Sequence, residues 1–338
     1  MKKINLTHAM FGQSEKVLYQ DDDFKATTFT YPSSVEGLRI DNSRGHLVVL
    51  PFMGLIIWDA IFDGISLKMK DMFSQPLPGK GIADTYGCFQ FTSGLLGNGT
   101  PALEDNYQLH GEFPTSKMDH AYLTLGEGTL TVHADFEYVK GFGNHYLSEP
   151  SVMMRKDAGL FDINLSVTNL SKYQSMPLQY MCHMNYAYAE NGRIEQNLPD
   201  EAFELRQTVP SHVHPTPEWL AYNDELKASG QLINQLDDPQ HYDPEIVFFS
   251  KNLTEFTDVA EFRLHLNDQH NFLTKFKTSQ FPIATRWILY NADQQVAAFA
   301  LPGTSTPEGK HAAEKAGTLI QLKPMEQRHF SVTTGLEN

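Results

Sequence analysis

Cysteine is scarce in this chain: of 338 residues only Cys88 and Cys182 are cysteines. Two thiols make no disulfide framework, and in a reducing compartment they are most simply free. No CxxC pair or cysteine–histidine cluster is present to hold a structural zinc. Long apolar runs are missing too. Nothing approaches the roughly 20 consecutive apolar residues that span a bilayer. Residues 1–8 begin basic but carry no apolar stretch behind them, so no secretory signal is read and a soluble, cytoplasmic protein is expected. Positive charge is in deficit, with 26 Lys and Arg against 41 Asp and Glu. That balance excludes non-specific attraction to nucleic acid or to an anionic membrane. The motifs GxSxG, the P-loop and GxGxxG behind a strand are absent, so hydrolase, nucleotide and dinucleotide readings lack their usual marks and no cofactor is expected. No short-period repeat points to a propeller or solenoid.

What is present is β-structure. Aromatic residues make up 12% of the chain and apolar ones 41%, enough to build a large core. Residues 1–33 are mixed and read as an edge segment. Residues 46–51 and 52–62 are β-rich, and Asp63-Gly64 before residues 65–69 is a strong hairpin signal. Residues 121–125 and 130–138 flank a glycine turn and alternate apolar with polar, the half-buried strand pattern. Further strands are read at residues 147–155, 160–169, 245–249, 260–266, 271–276, 285–290, 296–301, 318–322 and 327–333. Residues 70–120 and 195–245 are rich in Gly, Pro and polar residues and read as long loops, where sites tend to lie. One short helix is expected at residues 218–230, and a helical turn near residues 311–316. Many short strands without a clear linker predict an all-β architecture, one large antiparallel β-sandwich over residues 1–338.

Residues 176–188 hold the most informative stretch. On a strand, residues two apart share a face, so His183 and Asn185 project together with Met181, while Cys182, Met184, Tyr186 and Tyr188 face the other way. An imidazole and an amide in an apolar strand need a partner, either another side chain or a ligand. His110, followed by Gly111, ends the first loop region; it is either a solvated loop histidine or a site residue that the glycine lets backbone approach. Arg286-Trp287 sets a guanidinium beside an aromatic face, as in sites for sugars and carboxylates, or else is an edge arginine beside a core tryptophan. Residues 306–311 gather Glu308, Lys310 and His311 on one loop. His212 and His214 fall on one strand face, half of a metal site without a third ligand, and a Pro-rich surface loop explains them better.

Taken together these motifs resemble the galactose mutarotase (aldose 1-epimerase) superfamily. Residues 39–54, with Trp58 and the Asp63-Gly64 turn, are similar to its first strands. Leu109-His110-Gly111 resembles its Leu-His-Gly-Gly sugar-binding motif, with Glu112 in place of the second glycine. His183 resembles its catalytic histidine, and the His183-x-Asn185-Tyr186 pattern, Arg286-Trp287 and residues 302–310 are similar to a largely uncharacterised branch. The resemblance implies a galactose mutarotase-like supersandwich and a small-molecule carbohydrate as partner. It implies anomer interconversion, in which a base takes the anomeric proton while an acid protonates the ring oxygen. On that reading His183 is the acid, His110 holds the ring oxygen or a neighbouring hydroxyl, and Asn185, Arg286 and Trp287 bind substrate. The glutamate that serves as the family's base is replaced by Leu301, before Pro302-Gly303. Glu308, seven residues on, is the remaining candidate base. The alternative is a catalytically inactive carbohydrate-binding or sensing protein on the same scaffold.

Overall fold

A computed structural model describes residues 2–210 and 213–338. Two antiparallel sheets make up the architecture. The first has nine strands, in the order Lys2–Leu6, His120–Gly126, Thr129–Val139, His145–Arg155, Leu160–Asn169, Gln327–Glu337, Asn271–Lys277, Val259–His265 and Arg193–Gln196. The second has a main path running Phe203–Leu205, Ile246–Ser250, Ile283–Tyr290, Gln295–Gly303, Met176–Met184, Gln90–Leu95, Ile56–Phe62, Gly45–Leu50, Glu36–Asp41, Lys25–Thr30 and Lys16–Gln20. Ile65–Ser66 and Ile320–Leu322 attach beside that path.

Local chemistry accounts for the elements. Asp63 and Gly64 take φ of +50° and +77°, the left-handed pair that a two-residue hairpin requires, and Phe62 then pairs with Ile65. Along Thr129–Val139, Leu130, Val132 and Ala134 point inward and the residues between them lie half in solvent, as alternation demands. The helix Pro217–Ser229 starts at Thr216, whose hydroxyl accepts from Trp219 N at 3.1 Å, and ends at left-handed Gly230. Between the sheets lies one apolar core. Tyr180 of the second sheet meets Phe330 of the first at 5.2 Å between ring centroids, and Tyr186 meets Phe272 at 4.8 Å. Each large side chain buried there contributes about 1.5–3 kcal/mol.

The structure departs from the sequence reading at two central strands. Residues 90–95, read as loop, form a central strand buried along its whole length. Its Gln, Thr, Ser and Gly imitate a loop because their polar atoms find partners inside the protein. The strand Gln295–Gly303 runs on through Pro302, where a loop was expected. Residues 1–33, read as an edge segment, supply three strands, and two of them, Lys2–Leu6 and Lys16–Gln20, do form an edge of each sheet.

Candidate functional site

The second sheet has two faces, and the alternation along residues 180–186 sorts them. Tyr186 reaches the first sheet through Thr334 and Leu273. Met181 and His183 face the other way, into a cleft of about 880 Å³. Neighbouring strands extend that floor with Val247 and Phe249, with Thr285, Trp287 and Leu289, and with Leu301. The walls come from loops and include Tyr86, Pro101, Leu109, His110, Arg206 and Glu308. A register shift between Thr285 and Trp287 sets Thr285 opposite Leu301 and Trp287 opposite Ala298. Leu301 thereby turns to the floor of the cleft.

His183 is buried, stacked on Phe91 at 4.5 Å and edge-on to Trp287 at 5.7 Å. Burial pushes its pKa well below the ordinary histidine value, His110 pushes it further down, and the Asn185 amide pulls it partly back. The ring is therefore neutral at pH 7, whereas a free imidazole would titrate near operating pH. Asn185 donates through Nδ2 to Cys88 O at 2.9 Å. Asn185 Oδ1 and His183 Nδ1 are both buried without a hydrogen-bond partner, while the Asn185 side chain favours the protonated ring. On the far side of the imidazole, Nε2 lies 3.2 Å from the Tyr86 hydroxyl.

The Gly97–Gly111 turn brings His110 to within 4.9 Å of His183, centroid to centroid and nearly perpendicular. His110 has a φ of +63°, uncommon for a side-chain-bearing residue. Backbone bonds hold it there: Gly94 N donates to His110 O at 2.9 Å and His110 N to Gly99 O at 2.8 Å. Gly111, at φ +85°, is needed for close approach, because a Cβ there would lie 2.4 Å from Gly94 O. Ser93 gives its proton to Asn98 Oδ1 at 2.5 Å and so accepts from His110 Nδ1 at 2.8 Å. Glu112, which stands where the resembling motif has glycine, is half-buried beneath the turn. It accepts from Leu95 N, Leu96 N and the Tyr146 hydroxyl, and burial raises its pKa.

The carboxylates of the cleft are tied to differing degrees. Glu245 accepts from Arg206 Nη2 at 2.7 Å through one oxygen and from Trp287 Nε1 at 2.8 Å through the other. Glu308 accepts from the Thr208 hydroxyl at 2.8 Å. A beta bridge between Gly99 and Glu308 joins the two loop walls.

Of the residues singled out from the sequence, His110, His183, Trp287 and Glu308 meet at one cleft. Asn185 stands behind His183 and does not line it. Arg286 is corrected outright: it points to the opposite face and is fully buried. Its guanidinium donates to Ile233 O at 2.5 Å, Asn234 Oδ1 at 2.9 Å and Gln196 Oε1 at 2.8 Å. Alternation dictates this, since Trp287 occupies the cleft face. His212 lies outside the described residues. Among the described residues no three His, Cys, Asp or Glu side chains group as metal ligands would, and no helix is long and apolar enough to cross a membrane. Tyr86, Arg206 and Glu245 escaped the sequence reading. Glu245 heads an otherwise apolar strand, and that was its one signal; Tyr86 and Arg206 lie in irregular segments with none.

This architecture is the galactose mutarotase-like fold, a large antiparallel supersandwich. A candidate aldose 1-epimerase from Klebsiella pneumoniae subsp. pneumoniae superposes with a TM-score of 0.79 at 14% identity, over 99% of this chain and 91% of its own. A galactose mutarotase-like protein from Lactobacillus casei gives 0.61 at 13% identity, over 89% and 100%. A candidate aldose 1-epimerase from Escherichia coli K12 gives 0.57 at 16% identity, over 86% and 95%. By sequence, residues 204–336 match a family described as a domain of unknown function, DUF4432. No curated protein matches the chain.

Proposed function

We propose that this chain is an aldose 1-epimerase-like enzyme, interconverting the anomers of a monosaccharide or sugar derivative by histidine-assisted ring opening. One observation carries the reading. Two imidazoles whose centroids are 4.9 Å apart line a cleft of sugar-accommodating size, beside an aromatic face supplied by Trp287. Ring opening needs a proton removed from the anomeric hydroxyl and one delivered to the ring oxygen, and His183 and His110 are the groups suited to move them. Trp287 offers a stacking face, and Glu245 with Arg206 offers an acceptor and a donor for hydroxyls. Leu301 cannot accept a proton, so the base is either Glu308 or a group at the His183 end.

A second reading is favoured by that same leucine on the cleft floor. The chain would then bind or sense a carbohydrate without turning it over. NMR saturation exchange between anomeric protons, run over a panel of aldoses and sugar acids, separates the two. The epimerase reading expects accelerated exchange that falls about 10²–10⁴-fold in His183→Ala while the fold is retained. Sugar signals that broaden or shift without faster exchange support the binding protein. No effect with any sugar rejects both for the sugars tested.

A further inference from the structure

Tyr86 is one of the cleft residues that the sequence left unmarked, and its surroundings are specific. Its ring packs edge-on to Phe91 at 5.6 Å, to Trp287 at 6.1 Å and to His183 at 5.9 Å, and tilts over His110 at 6.1 Å. It thus sits among four aromatic rings of the site, and its hydroxyl meets His183 Nε2 at 3.2 Å.

The direction of that hydrogen bond is set by the tautomer of the imidazole. Asn185 gives an amide proton to Cys88 O and favours the protonated His183 ring, while its Oδ1 and His183 Nδ1 are both buried without a hydrogen-bond partner. A neutral imidazole carries one proton, and with that proton on Nδ1 the lone pair lies at Nε2. In that tautomer the Tyr86 hydroxyl donates to Nε2, and hydroxyl and imidazole stand in the order of a general base. Burial of His183 beside His110 agrees, because it keeps the resting ring neutral and able to accept.

We propose that Tyr86 is a catalytic residue of the ring-opening reaction, carrying the anomeric hydroxyl proton to Nε2 of His183. This rests on the epimerase reading above and reverses the acid role expected for His183. As the sugar O1–H proton passes to the Tyr86 oxygen, the Tyr86 proton passes to His183 Nε2. The bond between C1 and the ring oxygen breaks, and its electron pair goes to the ring oxygen. That oxygen takes a proton from the His110 imidazolium, leaving the open-chain aldehyde with a free hydroxyl. Rotation about C1–C2 and the reverse transfers close the ring on the other face. The scheme passes one positive charge from His110 to His183 and never places two on rings this close.

Saturation exchange on the full chain tests this with two replacements at position 86. Tyr86→Phe keeps the ring contacts and removes only the oxygen. It is expected to slow exchange at least 30-fold, while saturation-transfer difference signals show the sugar still bound. Fluorotyrosines at position 86 are expected to change the rate in step with the phenol pKa, which a merely structural tyrosine would not do. Tyr86→Phe exchange within threefold of wild type overturns the proposal and leaves ring opening standing, with Glu308 as the base. A fluorotyrosine series of constant rate also overturns it. Absence of acceleration by the wild type overturns the epimerase reading and this proposal with it.

Discussion

Arg286 and His183 belong to the same sheet, two strands apart, and each is a polar side chain buried in an apolar strand. Their fates differ. Arg286 turns inward, where two side-chain oxygens and two main-chain carbonyls accept its protons and Phe203 lies under its guanidinium at 5.5 Å. Burial brings its pKa down to about 9, which still leaves it charged at neutral pH. His183 turns outward into the cleft, with Nδ1 lacking a well-formed bond and a hydroxyl at Nε2. A buried polar group answered on all sides serves the fold. One left partly answered beside a cavity is available to a ligand.

Breaking the satisfied cluster should have the largest effect on stability. Arg286→Met removes the donor from four acceptors and is expected to cost about 3–5 kcal/mol in urea unfolding. Sugar binding by the fraction still folded should be unchanged; lost binding at intact stability would move Arg286 to the site. Asn185→Ala sharpens the contrast from the other side. It strands Cys88 O and releases the His183 tautomer, so about 1–3 kcal/mol of stability should go, together with a drop in anomer exchange larger than unfolding explains. Activity that survives intact would mean that the tautomer does not matter.

Arg206 and Glu245 test whether the rim resembles the interior. Both side chains are 11% exposed. A double-mutant cycle with Arg206→Met and Glu245→Gln should return about 1–2 kcal/mol of coupling. A value near zero would class the pair with surface salt bridges, which are worth little. The smallest effect concerns pH. His183 and His133 have folded pKa values below the unfolded 6.5, with His133 pushed down to about 4 by burial and then by Lys3. Below pH 6.5 the unfolded chain therefore binds more protons, and their contribution to stability is lost on acidification. Glu112, raised by burial, works in the opposite sense and gains as pH falls through its raised value. Urea midpoints should fall from pH 7 to pH 5, and His133→Gln should flatten part of the slope; an unchanged slope would remove His133 from the account.

Much of the fold was legible because it is written in local chemistry. Alternation marked residues 121–125 and 130–138, Asp63-Gly64 marked its hairpin, and the helix expected at residues 218–230 is present. The buried strand Gln90–Leu95 was not legible, since its polar residues gain partners only once the fold is made. The site divided in the same way. His183 stood out as a polar residue in an apolar strand and His110 as a loop histidine followed by glycine, while Tyr86 and Arg206 sit in irregular segments with no periodicity to read.

By itself the sequence determined an all-β chain with a two-residue period, and it determined which face of residues 181–187 each side chain would take, because strand geometry follows from the backbone alone. Only the tertiary structure decided that Trp287 meets the cleft and Arg286 the core, that His110 comes to His183 from more than 70 residues away, and that the hydroxyl of Tyr86 rests on Nε2. Those facts depend on which strands pair and where the register shifts. They are set by packing and hydrogen-bond satisfaction over the whole molecule, which no local pattern carries.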